Sequence, residues 1–368
     1  MKTLKLFLIN TVIILICIFC LEISLNYLFA EQNFNQVRKI RLKEHKPNLN
    51  LNVSLYKQYL ERVNSYNKEP ILENKNYRLR TDNEGYIIGD DDGLNDYKSV
   101  DAIFYGGSTT ECLYVNESKR FPYLVQKTLN DSLKLNLKFL NAGVSGKSSI
   151  ESSFDLLSRG IPLNPKFVFL MHNINDLALL IKSGSYWNAP ITRSIIIKSD
   201  SNKKFIELAF PNTIKFFIKI KNLIFPSLIE EVDEWLDFEN DIKDIPDNEI
   251  LSQYKNSLNN FILLAENYNI KVVLMTQANR FSPDDQLIYE NTNYSQRNID
   301  IERMMKLYKK FNNIVREISK TKKLDLIDLD SLTLEKDKYI YDEVHFNSKG
   351  SENAAKIISD FMINNYYK

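Results

Sequence analysis

The chain has 368 residues, 44% of them hydrophobic, with 48 Lys and Arg against 47 Asp and Glu. That length suits one large domain or a domain with additions, and a formal net charge of +1 with interspersed signs excludes the basic footprint of a nucleic-acid binder. Three cysteines, two of them (Cys17 and Cys20) inside an apolar N-terminal run, exclude a disulfide framework and a cysteine-based zinc site.

After Lys2 and Lys5 the apolar run occupies 6–21 and extends raggedly to Ala30 through Glu22 and Asn26. About 20 apolar residues cross a bilayer, so 1–30 reads as a signal anchor or transmembrane helix. A cleaved signal is disfavoured because Leu28-Phe29-Ala30 lacks a small residue three before the cut, and a lipoprotein signal because bulky Phe19 precedes Cys20. Lys2 and Lys5 argue for a cytoplasmic N-terminus, while Arg38, Lys39, Arg41, Lys43 and Lys46 beyond the run argue the other way. A short tail followed by an apolar run reads as an export signal, so the expectation is a single-pass anchor with an extracytoplasmic body.

Residues 31–76 are polar and rich in Lys and Asn, with a helix expected around 55–66, and read as a stalk. A short β segment over 77–86 turns at Asn83-Glu84-Gly85. Asp90-Asp91-Asp92-Gly93 lacks the spacing of a calcium loop and reads as a solvated turn. From Ser99 onward, strand-like runs at 100–105, 135–140, 166–171, 271–276 and 324–329 alternate with helical patterns at 122–133, 150–159, 249–268 and 301–320. A last helix over 348–364 closes the chain. Such alternation implies a parallel sheet covered on both faces, with its functional edge at the carboxyl ends of the strands.

Four segments follow those strands. Gly106-Gly107-Ser108-Thr109-Thr110-Glu111 places a serine at a sharp turn; Ser108-x-x-Glu111 also matches a capping box. In Asn141-Ala142-Gly143-Val144-Ser145-Gly146-Lys147-Ser148 the ending resembles a phosphate-binding loop, but the required first glycine falls on Asn141, so a glycine turn facing the sheet edge is expected. His172-Asn173-Ile174-Asn175-Asp176 offers an asparagine amide to a cleft, or an aspartate that caps the next helix. Asp342-Glu343-Val344-His345 puts an acid three residues before an imidazole, where it can hold Nδ1–H and leave Nε2 free to take a proton from a serine. His172, which ends a buried-type strand, is the rival base and is expected to be structural.

With these four blocks, from about Arg78 to the C-terminal helix, the chain resembles the SGNH (GDSL-like) hydrolase superfamily. The resemblance implies a three-layer, flavodoxin-like α/β fold with a five-stranded parallel sheet, acyl-ester chemistry and no metal or cofactor. Residue by residue it implies Ser108 as nucleophile, His345 as base and Asp342 as third triad member. The Ser108 and Gly146 N–H groups and the Asn175 amide would form the oxyanion hole. Gly-Gly-Ser replaces the commoner Gly-Asp-Ser, a variant associated with membrane-anchored bacterial members often linked to cell-surface glycans. Asn173 stands where the third block usually has Gly, and an added side chain there would narrow the cleft or move Asn175.

The hydrolase domain is expected over 77–368, with an unusually long insertion at 181–246. Its 214–225 stretch carries Lys215, Lys219 and Asn222 on one helical face, which suits a lid, a membrane-surface helix or plain packing. The expected substrate is an acyl ester, most readily an O-acetyl ester of a surface glycan, or else a lipid ester. Acyl transfer with the same residues and a non-catalytic role beside glycan-export machinery are the alternatives.

Overall fold

The structure, a computed structural model, describes residues 2–28, 42–55, 57–68, 71–72, 76–89, 99–187, 212–214, 216–217, 220, 245–282, 284–291 and 301–367. Asp90-Asp91-Asp92-Gly93, the Lys215, Lys219 and Asn222 face and most of the 181–246 insertion lie outside them. The chain divides into two units, Met1–Arg41 with Ile195–Glu231, and Leu42–Ser194 with Val232–Lys368.

In the first unit, helix α1 (Lys2–Leu28) contains a span, Lys5–Leu25, long and apolar enough to cross a membrane. The acid inside this run is not idle. Glu22 accepts hydrogen bonds from the backbone N–H and side chain of both Asn212 and Thr213, all at 2.8 Å. Asn212 and Thr213 are helical residues of the insertion, and the one carboxylate binds two backbone N–H groups and two side chains there.

The second unit is built on five parallel strands in the order β4-β3-β5-β6-β7. They are β3 (Ala102–Gly106), β4 (Phe139–Asn141), β5 (Phe167–Met171), β6 (Lys271–Met275) and β7 (Asp325–Ile327). Their side chains alternate between two cores. Ile103, Tyr105, Val168, Leu170, Val272 and Leu274 face one layer of helices. Phe104, Phe139, Phe169, Met171, Val273 and Met275 face the other. Burial on both faces is why these segments read as continuous apolar runs instead of alternating ones. The first layer holds α5 (Ser149–Asp155), α6 (Ile174–Ser183), α7 (Asp247–Asn267) and α9 (Ile301–Lys322). The second holds α4 (Phe121–Leu133) and α12 (Ser348–Tyr366). This is the three-layer fold expected, and every expected strand is present. The 135–140 run contributes only its end to the sheet, because Leu137 N–H is drawn off by Asn130 Oδ1 at 2.7 Å.

The expected stalk overlaps folded structure. From Leu42 on the chain belongs to the second unit. Strand β1 (Asn50–Ser54) pairs antiparallel with β2 (Asn76–Arg80). Helix α2 (Lys57–Ser65) buries Tyr59 and Val63 in a third small core with Tyr77, Leu79, Tyr114 and Tyr341. The polar composition of 42–68 hid this, because Tyr59, Leu60 and Val63 are the apolar residues of α2 and Lys57, Glu61, Asn64 and Ser65 are exposed.

Candidate active site

The strand that ends at Gly106 passes directly into a single helical turn, α3 (Ser108–Glu111), which stops at Cys112 in the left-handed conformation. At the glycine before the serine space and not backbone conformation is limiting, since its φ of −93° is open to any residue. A Cβ on Gly107 would stand 1.9 Å from Asn175 Nδ2. The space that a side chain at 107 would need is taken here by the asparagine amide. The capping-box reading of Ser108 and Glu111 does not hold. Ser108 caps nothing, and Glu111 turns to Ser145, whose hydroxyl donates to it, and to His45, whose Nε2 lies 2.9 Å away. Burial alone would raise the Glu111 carboxyl, yet His45, Ser145 and Arg120 together hold it below its usual range. The capping box in this region belongs to Ser148 and Glu151 at the start of α5.

Freed from capping, Ser108 Oγ lies 2.7 Å from His345 Nε2, and His345 Nδ1 lies 2.6 Å from Asp342 Oδ2. The segment after α11 (Lys336–Tyr339) folds back so that Asp342 Oδ1 accepts the backbone N–H of Val344 at 2.9 Å and of His345 at 2.8 Å. Burial would raise the Asp342 carboxyl, but the His345 charge and hydrogen bond and these two N–H groups outweigh it and hold it well below the usual carboxylate range. The Tyr341 ring stacks on the imidazole at 5.6 Å between centroids. His345 keeps a fifth of its side-chain surface open, 21%, so a reactant can reach it.

Gly146 takes φ +72°, a left-handed conformation that favours glycine, and so turns the loop after β4 over the sheet edge. Its carbonyl accepts Lys43 Nζ at 2.5 Å. The next residue turns inward. Lys147 is fully buried, ion-paired with Asp155, and donates to Ala142 O at 3.2 Å; Arg159 forks onto the same Asp155 at 2.8 and 2.7 Å. A phosphate-loop lysine would face outward, so this one is structural. Asn175 Nδ2 donates to Lys147 O at 3.0 Å, which holds the amide between the Gly107 turn and the Gly146 loop. Asn173, expected to crowd the cleft, points elsewhere: its amide donates to Tyr308 O at 3.1 Å and Asn312 Oδ1 at 2.9 Å on α9. Asp176 caps a helix, though not its own. It accepts Ser149 N–H at 3.0 Å at the head of α5, with Ser149 Oγ at 2.5 Å and Tyr186 Oη at 2.6 Å.

His172 is buried, with Nε2 2.8 Å from Ser152 Oγ. Burial and the Lys147 charge pull it down to about 3, so it is neutral near pH 7. The residues that sequence reasoning missed are those contributed by other parts of the chain. They are Tyr59, which donates to Asp342 Oδ2 at 3.2 Å, and the pair His45 and Glu111. A tyrosine at 59 carries no local signal of its partner 283 positions away. Glu111 did carry one, since a buried acid after a nucleophile turn needs a partner. Among the described residues no group of three His, Cys, Asp or Glu is placed to hold a metal.

No protein-family model matches the chain, and no curated protein matches it in sequence. Its structure is similar to a GDSL-like lipase from Bacteroides thetaiotaomicron, at 15% identity over 72% of this chain and 87% of that one, with a TM-score of 0.39. It is also similar to a lipase/acylhydrolase from Enterococcus faecalis, at 14% identity over 72% and 96%, with a TM-score of 0.43. An acetylxylan esterase from Geobacillus stearothermophilus shares 14% identity over 71% and 93%, with a TM-score of 0.42.

Proposed function

We propose that this protein is a membrane-anchored serine hydrolase of SGNH type that cleaves acyl esters, with Ser108, His345 and Asp342 as its triad. The observation that carries the reading is the unbroken relay from Ser108 Oγ through His345 to Asp342, at 2.7 and 2.6 Å, on the carboxyl edge of a parallel sheet where such folds hold their ligands. In the first step Oγ attacks the ester carbonyl and His345 Nε2 takes the hydroxyl proton. The carbonyl oxygen becomes an oxyanion held by the Ser108 and Gly146 N–H groups and the Asn175 amide. Collapse breaks the bond to the leaving alcohol, which takes the proton from His345 and leaves an acyl-Ser108. Water then attacks that ester, again losing a proton to Nε2, and the second collapse returns the proton to Oγ and frees the carboxylic acid. No metal or redox group enters the scheme.

The substrate class is an O-acyl, chiefly O-acetyl, ester of a cell-surface glycan, with a lipid ester next. A catalytic domain tethered to a membrane suits a substrate fixed at the same surface. The body lies outside the cytoplasmic membrane, and the insertion works beside the anchor. Glu22, within the apolar run, spends its hydrogen bonds on Asn212 and Thr213, which favours a membrane-seated insertion over a lid. Acyl transfer to a second sugar would run through the same acyl-Ser108.

The full-length protein in detergent should be labelled by a fluorophosphonate and should hydrolyse a small activated acetyl ester. Folded protein that does neither would return the site to a non-catalytic role beside glycan-export machinery. Alkaline phosphatase fused to the C-terminus should be active in cells; an inactive fusion would place the body in the cytoplasm.

A further inference from the structure

Asp342 is approached from two directions. On one side the His345 imidazole and two backbone N–H groups bind it. On the other stands α2, from the 42–68 region that lies outside the five-stranded core. Tyr59 Oη donates at 3.2 Å to Oδ2, the same oxygen that receives His345 Nδ1, and lies 3.4 Å from Tyr341 Oη. Three residues on, the Arg62 guanidinium sits 5.0 Å from the Tyr59 ring centroid, and Asp342 is among the acids that act on its charge.

The approach is built and not incidental. Val63 and Tyr66 are fully buried, and the Tyr59 ring packs on Tyr114 at 5.4 Å. Just past α2, Asn67 Nδ2 donates to Tyr341 O at 2.7 Å, while Arg280 clamps Asn67 Oδ1 at 2.8 Å and Tyr66 O at 3.0 Å. Both ends of the contact are fixed to the segment that carries the acid and the base.

We propose that Tyr59, backed by Arg62, is a positioning residue that sets the basicity of His345 by sharing the carboxylate of Asp342. This rests on the triad reading above. A carboxylate that accepts a further donor, with a cation nearby, has part of its charge neutralised and stabilises an imidazolium less. His345 is thereby kept a weaker base, free of its proton at lower pH than Asp342 alone would allow. Other described groups also stand around the pair. Ser108 faces Nε2 from α3 and Tyr341 stacks on the ring. Glu343, adjacent in sequence, acts on Arg62. Arg280 is committed to Asp285 at 2.7 Å, and Tyr308 on α9 stays uncharged because burial raises its hydroxyl far above the usual range.

Tyr59→Phe keeps the ring and removes only the donor. In the full-length protein in detergent, the acid limb of kcat/KM for a small acetyl ester should move up by roughly half to one pH unit. The same shift should appear in the ring carbon resonance of His345, identified among three histidines by its loss in His345→Ala. Arg62→Gln should move both readouts the same way by less, and Arg62→Lys should restore most of the change. A Tyr59→Phe protein whose two readouts match the wild type, or move down, overturns the proposal even if turnover falls, since a purely structural contact lowers activity without moving the limb. If the wild type hydrolyses no ester, the triad reading fails by itself, and the resonance titration still decides whether Tyr59 tunes His345.

Discussion

Among the described residues two Ser–His–Asp groupings stand out, and they differ in nearly everything except composition. Ser108, His345 and Asp342 form a continuous relay with 21% of the imidazole side chain open. Ser152, His172 and Asp176 also touch, with His172 Nε2 on Ser152 Oγ at 2.8 Å, but Nδ1 stands 3.4 Å from Asp176 Oδ2 and the histidine side chain is 1% open. In the first group the acid is held ionised by its imidazole and two N–H groups. In the second, burial raises Asp176 to about 6 and lowers His172 to about 3, so the contact is not an ion pair at neutral pH. Residue types therefore do not make a triad. A short contact to the acid and an open edge for the reactant do, because only then is an imidazolium formed during attack stabilised where a reactant can reach it.

The largest test of that contrast is the serine. Ser108→Ala should abolish fluorophosphonate labelling and cost on the order of 10⁶-fold in turnover, with His345→Ala nearly as severe because the members act as a unit. Ser152→Ala should leave labelling intact; labelling that vanishes with Ser152 or His172 would reverse the assignment. Asp342→Asn should keep the fold and lower turnover by roughly 10⁴-fold, read with the same ester.

Next comes the oxyanion side. Asn175→Ala should cost on the order of 10²–10³-fold in kcat. Gly107→Ala should imitate it, because the new Cβ occupies the place of the Asn175 amide and a flexible side chain gives way before backbone does. A Gly107→Ala enzyme with wild-type kcat would show that the amide does not act from that position.

Stability should respond to the buried charges beneath the Gly146 loop. Lys147→Met leaves Asp155 with Arg159 alone and should lower the unfolding free energy by about 3 kcal/mol, read by denaturant titration. Against its own burial, Lys147 and Arg159 hold Asp155 below the usual value. Its contribution is therefore present above the unfolded carboxyl pKa of about 4 and is lost as pH falls through the lower folded value. In Lys147→Met, where the folded Asp155 pKa lies nearer the unfolded one, that acid-side loss should be smaller and should be complete at higher pH.

The smallest effect belongs to the buried histidine. His172→Gln should change activity little and stability by about 1 kcal/mol, the worth of one hydrogen bond. Its pH signature is distinct. A histidine lowered to about 3 costs stability as pH falls below its unfolded value of about 6.5, since the unfolded chain binds the proton first. Asp176, raised to about 6, works in the opposite sense between about 6 and 4. Removing His172 should leave the Asp176 effect alone, so the variant should become more stable, relative to wild type, as pH drops from 6 to 4. An unchanged difference across that interval would mean that His172 titrates normally.

The sequence by itself determined what short windows encode. Alternating strand and helix patterns placed all five sheet strands, and the apolar run of 21 residues from Lys5 to Leu25 needs no partner to be recognised. Ser108, Gly146, Asn175, Asp342 and His345 were each legible as the residues after strands or at turns. Tertiary structure decided what depends on residues far apart in the chain. It gave Glu111 to His45 and Ser145 instead of a helix cap, and turned Asn173 towards α9. It made Gly107 a matter of space beside Asn175, and folded 42–68 onto the domain so that Tyr59 reaches Asp342. Periodicity and turn chemistry reside in neighbouring residues, where local sterics and hydrogen bonding fix them. Which buried polar group finds which partner is set only when the layers pack, because burial makes each group accept whatever donor or acceptor the fold brings within reach.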